Sequence, residues 1–304
     1  MKRLLLGAAI FATCTSSALA ANIGASVAWF DDNFLTTMRN AMQAKADEMG
    51  HEIQFLDAQG DIGRQLSQVQ SLAAQGVDAI IINPVDTAAT QMMTKVAVEN
   101  GIPLVYVNRQ PEGNDLEQKD VAFVGSDQKL SGKLQMEELA KQLGGKGNVA
   151  IMLGELSSGA THKRTEGVKE VAAKYPDIKI IEEQPADYQR TKAINLMNNW
   201  IVGGQEIDAI AANNDEMALG ALIAMQQSGI PADSILVGGI DATRDALEAM
   251  QRGELDVTVF QDAQGQGGGA VKTAIDMIEG KPVDKTNMVP FQLVTKDNLD
   301  DFLN

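Results

Sequence analysis

Apolar, β-branched runs alternate with amphipathic stretches along almost the whole chain. The pattern predicts strands at Ile23–Phe30, Glu52–Ala58, Ala79–Asn83, Pro103–Asn108, Val121–Gly125, Val149–Leu153, Ile178–Glu182, Ala209–Ala212, Ile235–Ile240 and Asp256–Gln261. Between them the apolar positions take helical spacing. Ile62, Leu66, Val69 and Leu72 recur at four, three and three, and Leu130, Leu134, Leu139 and Leu143 hold one face of a later helix. Near-continuous apolar strands, each followed by a helix, predict an α/β protein whose parallel sheets are covered on both faces. Ten strands suit two sheets better than one, so the expectation is two doubly wound lobes. No low-complexity segment, linker or clear repeat divides them.

The junction AIAANNDEMALGA, Ala209–Ala221, carries the most information. A buried strand ends there on Asn213, Asn214 and Asp215, and a helix begins. Asp215 is the expected N-cap, and Glu216 suits the positive end of the helix dipole. Amides and a carboxylate thus stand at the carboxyl end of a strand, where open α/β sheets bind ligands. The same string also reads as an ordinary capped turn.

The first twenty residues change the setting. Lys2 and Arg3, an apolar run from Leu4 to Ala12 and the small-residue site Ala18-Leu19-Ala20 predict a signal peptide cut after Ala20. Cys14, the one cysteine, falls inside it without the run that precedes a lipid-bearing cysteine, so the mature chain is expected to carry neither lipid nor disulfide. Net charge is −16, and −18 once Lys2 and Arg3 are removed, which repels nucleic acid and anionic lipid. No second segment is long enough to span a bilayer.

Candidate chemistry gathers at predicted strand ends. In Trp29-Phe30-Asp31-Asp32-Asn33-Phe34, aromatics stand beside acids, which suits the C–H face and hydroxyls of a polyol; Trp29 and Phe30 equally suit core packing. Asn108-Arg109 ends another strand, and a buried guanidinium can hold two vicinal hydroxyls at once. His162 suits either a ligand contact or a helix cap, and with only His51 besides it no His/Cys metal site is expected. Gly265–Ala270 fits G-x-G-x-x-A, but no βαβ unit with an acidic residue follows, so close helix packing is the better reading and no cofactor is expected.

The Ala209–Ala221 string and the motifs around it resemble the ribose-type periplasmic sugar-binding proteins, the solute-binding components of ABC importers. The resemblance covers nearly the whole chain. It implies the type I fold of periplasmic binding proteins, two lobes joined by a three-crossing hinge near Ser126-Asp127, Gln261-Asp262 and Pro290. The lobes would be residues 21–126 with 262–290 and residues 127–261 with 291–304, after a leader at 1–20.

Carried over by position, Asp32 stands where the family has a sugar-binding asparagine, and Phe34 matches a stacking aromatic. Leu35 replaces a second aromatic, and Asn108 stands in place of an aspartate before Arg109. Arg164 matches a second binding arginine, Tyr188 a stacking aromatic, Asn214 the signature amide, Asp241 a binding acid and Gln261 a hinge glutamine. WFDDNF, VNRQP and GELSSGATHKR look closest to the inositol and rhizopine binders. The resemblance implies a monomer that presents a polyhydroxylated ligand to an inner-membrane permease, with no catalysis. Myo-inositol or a related cyclitol is the expected ligand, ribose or another pentose the alternative, and a chemoreceptor role is compatible. A secreted carbohydrate-acting enzyme using Asp32 and Asp241 would need a nucleophile motif that the chain does not offer. A sugar-responsive repressor would need a helix-turn-helix where the leader stands.

Overall fold

The computed structural model describes residues 20–303. The expected leader lies outside the described residues except for Ala20. The first half of the chain forms β1 (Asn22–Val27), α1 (Asn33–Met49), β2 (Glu52–Asp57), α2 (Ile62–Gln75), β3 (Ala79–Asn83), α3 (Gln91–Glu99), β4 (Leu104–Val107) and β5 (Val121–Gly125). Next come α4 (Gln128–Gln142), β6 (Lys146–Leu153), α5 (Gly159–Ala172), β7 (Asp177–Pro185), α6 (Arg190–Val202), β8 (Ala209–Ala212) and α7 (Asp215–Gln227). The chain closes with β9 (Leu236–Gly238), α8 (Arg244–Gln251), β10 (Thr258–Phe260), α9 (Ala263–Ile278), β11 (Thr286–Met288) and β12 (Gln292–Val294).

Two parallel sheets result. The first has six strands in the order β11-β5-β4-β3-β1-β2, the second four in the order β7-β6-β8-β9. The chain passes between them after β5, after β10 and between β11 and β12. Each sheet is packed by helices on both faces, with Ile23, Ile81, Val105 and Met38 in one core layer and Met152, Ile210, Met217 and Trp200 in another.

The fold departs from the sequence expectations at several points. β10 lies parallel beside the end of β9 through the Gly238–Val257 and Asp241–Phe260 bridges, but its other edge pairs antiparallel with the returning β12. β1 stops at Val27 because the Ala28 amide turns to the Asn83 side chain, Oδ1 at 3.3 Å. α4 buries Gly132, Met136, Leu139 and Ala140 and packs Leu134 and Leu143 against the core, but leaves Leu130 40% exposed, so the leucine stripe runs along the inner face except at its first member. The reason is close helix contact: a Cβ on Gly132 would lie 2.0 Å from the Arg164 carbonyl of α5.

Acidic residues start many of these helices. Asp32, Asp61, Asp127 and Asp262 each accept a first-turn amide at α1, α2, α4 and α9, satisfying donors a helix start leaves open. At α7 the cap is Asn214, whose Oδ1 accepts from Met217 N at 3.0 Å; Asp215, the expected cap, is instead the first residue inside the helix. Gly267 of the glycine-rich motif rests on α1, where a Cβ would come within 2.4 Å of Met38 O. That is the helix packing expected of it.

Candidate functional site

The carboxyl ends of β1, β4, β6, β8 and β10 converge between the two sheets on one small cavity of about 40 Å³. Asp32, Phe34, Leu35, Asn108 and Arg109 line it from the first-sheet side, and Ser158, Ala160, Arg164, Tyr188, Asn214 and Asp241 from the other. Gln261, at the passage into α9, completes the lining. A wider open groove of about 910 Å³ lies alongside and shares Phe34, Asp241 and Gln261 with it. The smaller space is the chemically distinctive one, because buried charges surround it.

Two arginines anchor the cavity. Arg164 is buried; its Nε donates to Gln128 Oε1 at 2.8 Å, Nη1 to Asn213 O at 2.5 Å and Nη2 to Gln261 Oε1 at 2.7 Å, with Asp241 Oδ1 3.8 Å from Nη1. Arg109 is equally buried, and its Nη1 donates to the carbonyls of Pro84 and Val85 at 3.2 and 3.4 Å. Tyr188 stands between them, with the two guanidinium carbons 5.9 and 6.0 Å from its ring centre and its hydroxyl 2.8 Å from Thr161 Oγ1. Room for that ring comes from Gly154, where a Cβ would lie 2.1 Å from the Tyr188 ring.

Acids balance the arginines. Burial pushes the Asp32 carboxyl up, against its bond from Leu35 N at 2.7 Å and the field of Arg109. Burial likewise holds Asp241 well above the ordinary 3.8, with Arg164 opposing and Asp215 and Asp32 adding to the rise. Behind it, Asp215 is pushed up to about 6 by burial, although Thr258 Oγ1 (2.7 Å) and Thr243 N (2.7 Å) donate to it.

The sign of the Asp215 effect gives a test. An acid whose folded pKa exceeds its unfolded one binds more protons when folded, so its contribution is favourable at low pH and is lost as pH rises from 3.8 toward 6. Between pH 4 and pH 7 the ligand-free protein should lose on the order of 2–3 kcal/mol more stability than the Asp215→Asn variant. Denaturant melts across that range check it, and parallel pH profiles would refute the assignment.

Backbone strain gathers here as well. Among the described residues, seven besides glycine have positive φ, and Asn108 (65°), Asp187 (54°), Tyr188 (61°), Asp241 (127°) and Ala242 (54°) sit on three loops at the cavity. Such outliers persist where surrounding structure fixes them, and they cluster at functional sites.

Of the eleven candidates read from the sequence, Asp32, Phe34, Asn108, Arg109, Arg164, Tyr188, Asn214, Asp241 and Gln261 meet around this cavity. Trp29 and His162 do not line it. Trp29 Nε1 donates to Glu155 Oε1 at 2.6 Å, and His162 is exposed with Nε2 2.9 Å from Leu156 O, tying down its own loop. Phe30 carries Arg39 over its ring at 3.9 Å, a packing role. Asn108 also serves the scaffold, accepting from Asn83 and donating to Gln266 Oε1 at 3.1 Å. Sequence reasoning missed Ser158 and Ala160. Ser158 is fully buried and its Oγ has no hydrogen-bond partner among the described residues. No local signal marks it beyond its place after β6.

Two covered parallel sheets with three passages and a polar cavity at their facing strand ends define a two-lobed binding protein. The chain belongs to the periplasmic binding protein family, whose profile matches residues 23–282. A Rhizobium meliloti protein named for rhizopine binding is 48% identical over 305 aligned residues, 99% of each chain. The ribose import binding protein of Bacillus subtilis is 35% identical over 90% of this chain and 87% of its own. Among solved structures, an ABC transporter solute-binding protein of Bacillus halodurans with bound myo-inositol is 43% identical, with a TM-score of 0.89 over 95% of this chain and 99% of that one.

Proposed function

We propose that this chain is the solute-binding component of an ABC importer, closing two lobes over a small polyol, with myo-inositol or a related cyclitol as its ligand. One observation carries the reading: two buried arginines and two carboxylates, drawn from both sheets, face a single cavity with three amides and two aromatic rings. Guanidinium donors and carboxylate acceptors are the groups that grip vicinal hydroxyls, and removing water strengthens each bond. The relatives named for rhizopine and bound to myo-inositol support the cyclitol choice.

Leu35 leaves less flat aromatic surface, and Asp32 adds acceptor oxygens. A cyclitol has a hydroxyl on every ring carbon and is served by acceptors on all sides. An amino-cyclitol would bring a cation for Asp32, Asp241 or Glu155. Ribose is the second reading, supported by the B. subtilis relative.

The three passages near Ser126-Asp127, Gln261-Asp262 and Pro290 would be the hinge. Residues 21–126 with 262–290 and 127–261 with 291–304 would be the moving lobes. The leader would direct the chain to the periplasm, where the closed monomer docks on its permease without turning over its ligand. Calorimetry with myo-inositol and ribose side by side tests the ligand. Myo-inositol is expected to bind tighter, and ribose tighter by tenfold, about 1.4 kcal/mol, would overturn the cyclitol reading.

A further inference from the structure

Glu155 follows β6 in the second sheet, yet its carboxylate reaches across to the first. Its Oε2 lies 2.9 Å from Arg109 Nη2, with the two side chains only 14% and 7% exposed, and its Oε1 accepts from Trp29 Nε1 at 2.6 Å. Trp29 is held in place from below, since a Cβ on Gly60 would lie 2.1 Å from its ring.

The same loop is stitched to the first lobe by its neighbours. Thr87 N donates to Ser157 O at 3.1 Å, Gly159 N to Thr87 Oγ1 at 2.9 Å, and Ser157 Oγ to Val85 O at 3.2 Å. Val85 is therefore shared. Its carbonyl, with that of Pro84, also takes the other end of the Arg109 guanidinium.

Arg109 is thus gripped from two sides that belong to different lobes. Its Nη1 is held by carbonyls of its own lobe, and its Nη2 is ion-paired, without hydrogen-bond alignment, to a carboxylate that comes from the opposite one. Separation of the sheets would carry Glu155 away and leave the guanidinium bonded to neutral carbonyls, with Asp32 as the acid of its own lobe near enough to feel its field. A buried charge requires a partner, so closing over Arg109 without Glu155 is unfavourable.

We propose that Glu155 is a positioning residue for Arg109, engaged only when the lobes shut, so that closure itself aims the guanidinium at the ligand. The inference rests on the reading of Arg109 as a ligand contact. Its consequence is kinetic. Glu155 acts after the ligand has entered, so it governs escape from the closed state and leaves capture by the open state unchanged. Its partner Trp29 becomes a reporter of closure, because its indole N–H meets a carboxylate only across the cleft.

The experiment has two arms. In a Trp200→Phe background Trp29 is the sole tryptophan, since the chain has two. Stopped-flow fluorescence with myo-inositol then compares the unsubstituted site with Glu155→Gln and Glu155→Ala. Dissociation should speed up about tenfold or more for Glu155→Ala and by less for Glu155→Gln, which keeps an acceptor for Trp29, while association changes by less than about threefold. Unchanged dissociation, or a loss confined to association, would overturn the proposal.

The second arm needs no ligand. In a Cys14→Ser background, Asn33→Cys and Glu216→Cys replace a pair that hydrogen-bonds across the lobes at 2.6 Å, and a short bis-maleimide, which adds one thiol at each end, traps the closed form. Adding Glu155→Ala should slow trapping severalfold, and equal rates would refute a role in closure. Failure of myo-inositol to bind the unsubstituted protein would strike at the cyclitol reading alone, because the trapping rates still decide the role of Glu155.

Discussion

Replacing Arg109 with alanine is expected to weaken binding of myo-inositol by about 2–5 kcal/mol, roughly 30- to 5,000-fold, because one partner of a buried charge pair is removed. Two losses combine. The ligand hydroxyls lose charged donors, and the Glu155 carboxylate, 2.9 Å from Nη2, is left in the closed cleft without its cation. The fold should survive, since Arg109 stands after β4 and contributes no residue to the sheet ladder. Calorimetry with a parallel thermal melt checks both halves. Wild-type affinity in Arg109→Ala would show that the cavity has been assigned to the wrong function.

Asp241→Asn should separate binding from stability. The substitution keeps the size of the side chain but puts donors where one acceptor oxygen stood. Affinity should fall by about 1.5–3 kcal/mol, roughly 10- to 150-fold, the range for a hydrogen bond to a charged group. Stability should move the other way. Burial holds the Asp241 pKa well above 3.8, so near neutral pH its charged form weighs against the folded state. The ligand-free melting temperature of Asp241→Asn should therefore equal or exceed that of wild type. A variant that binds normally, or that loses affinity only because it melts, would contradict the placement of Asp241 on the ligand.

The strand–helix alternation was legible because buried parallel strands are nearly continuous apolar runs. β3 is AIIIN with every residue buried, and β8 is AIAA. β11 was not legible. Its residues Thr286, Asn287 and Met288 are exposed, and only the edge of β5 makes them a strand. α4 misled for a different reason. Leu134, Leu139 and Leu143 turn to the core as their period implies, but Leu130 stays exposed, because close contact with α5 at Gly132 shifts the buried face there.

At the site, polar residues at strand ends were visible as a pattern, and the family resemblance added those such as Arg164 that stand inside a helix, which together gathered nine of them. Trp29 and His162 stand near the site, yet each is drawn off by a protein partner, the distant Glu155 in one case and the Leu156 carbonyl in the other. No pattern within a single segment reveals such a partner. Asp215 shows the same limit. Its type and place fit an N-cap, but Asn214 takes the cap, and Thr243 and Thr258 arrive from β-strand ends far along the chain to hold the carboxylate inside.

The central claim is that a small polyol is enclosed between two lobes that move about the three passages. Small-angle X-ray scattering with and without saturating myo-inositol tests it most directly. The account predicts a smaller radius of gyration and a shorter maximum dimension once the ligand is bound. Identical scattering curves at a concentration where calorimetry shows full occupancy would contradict it.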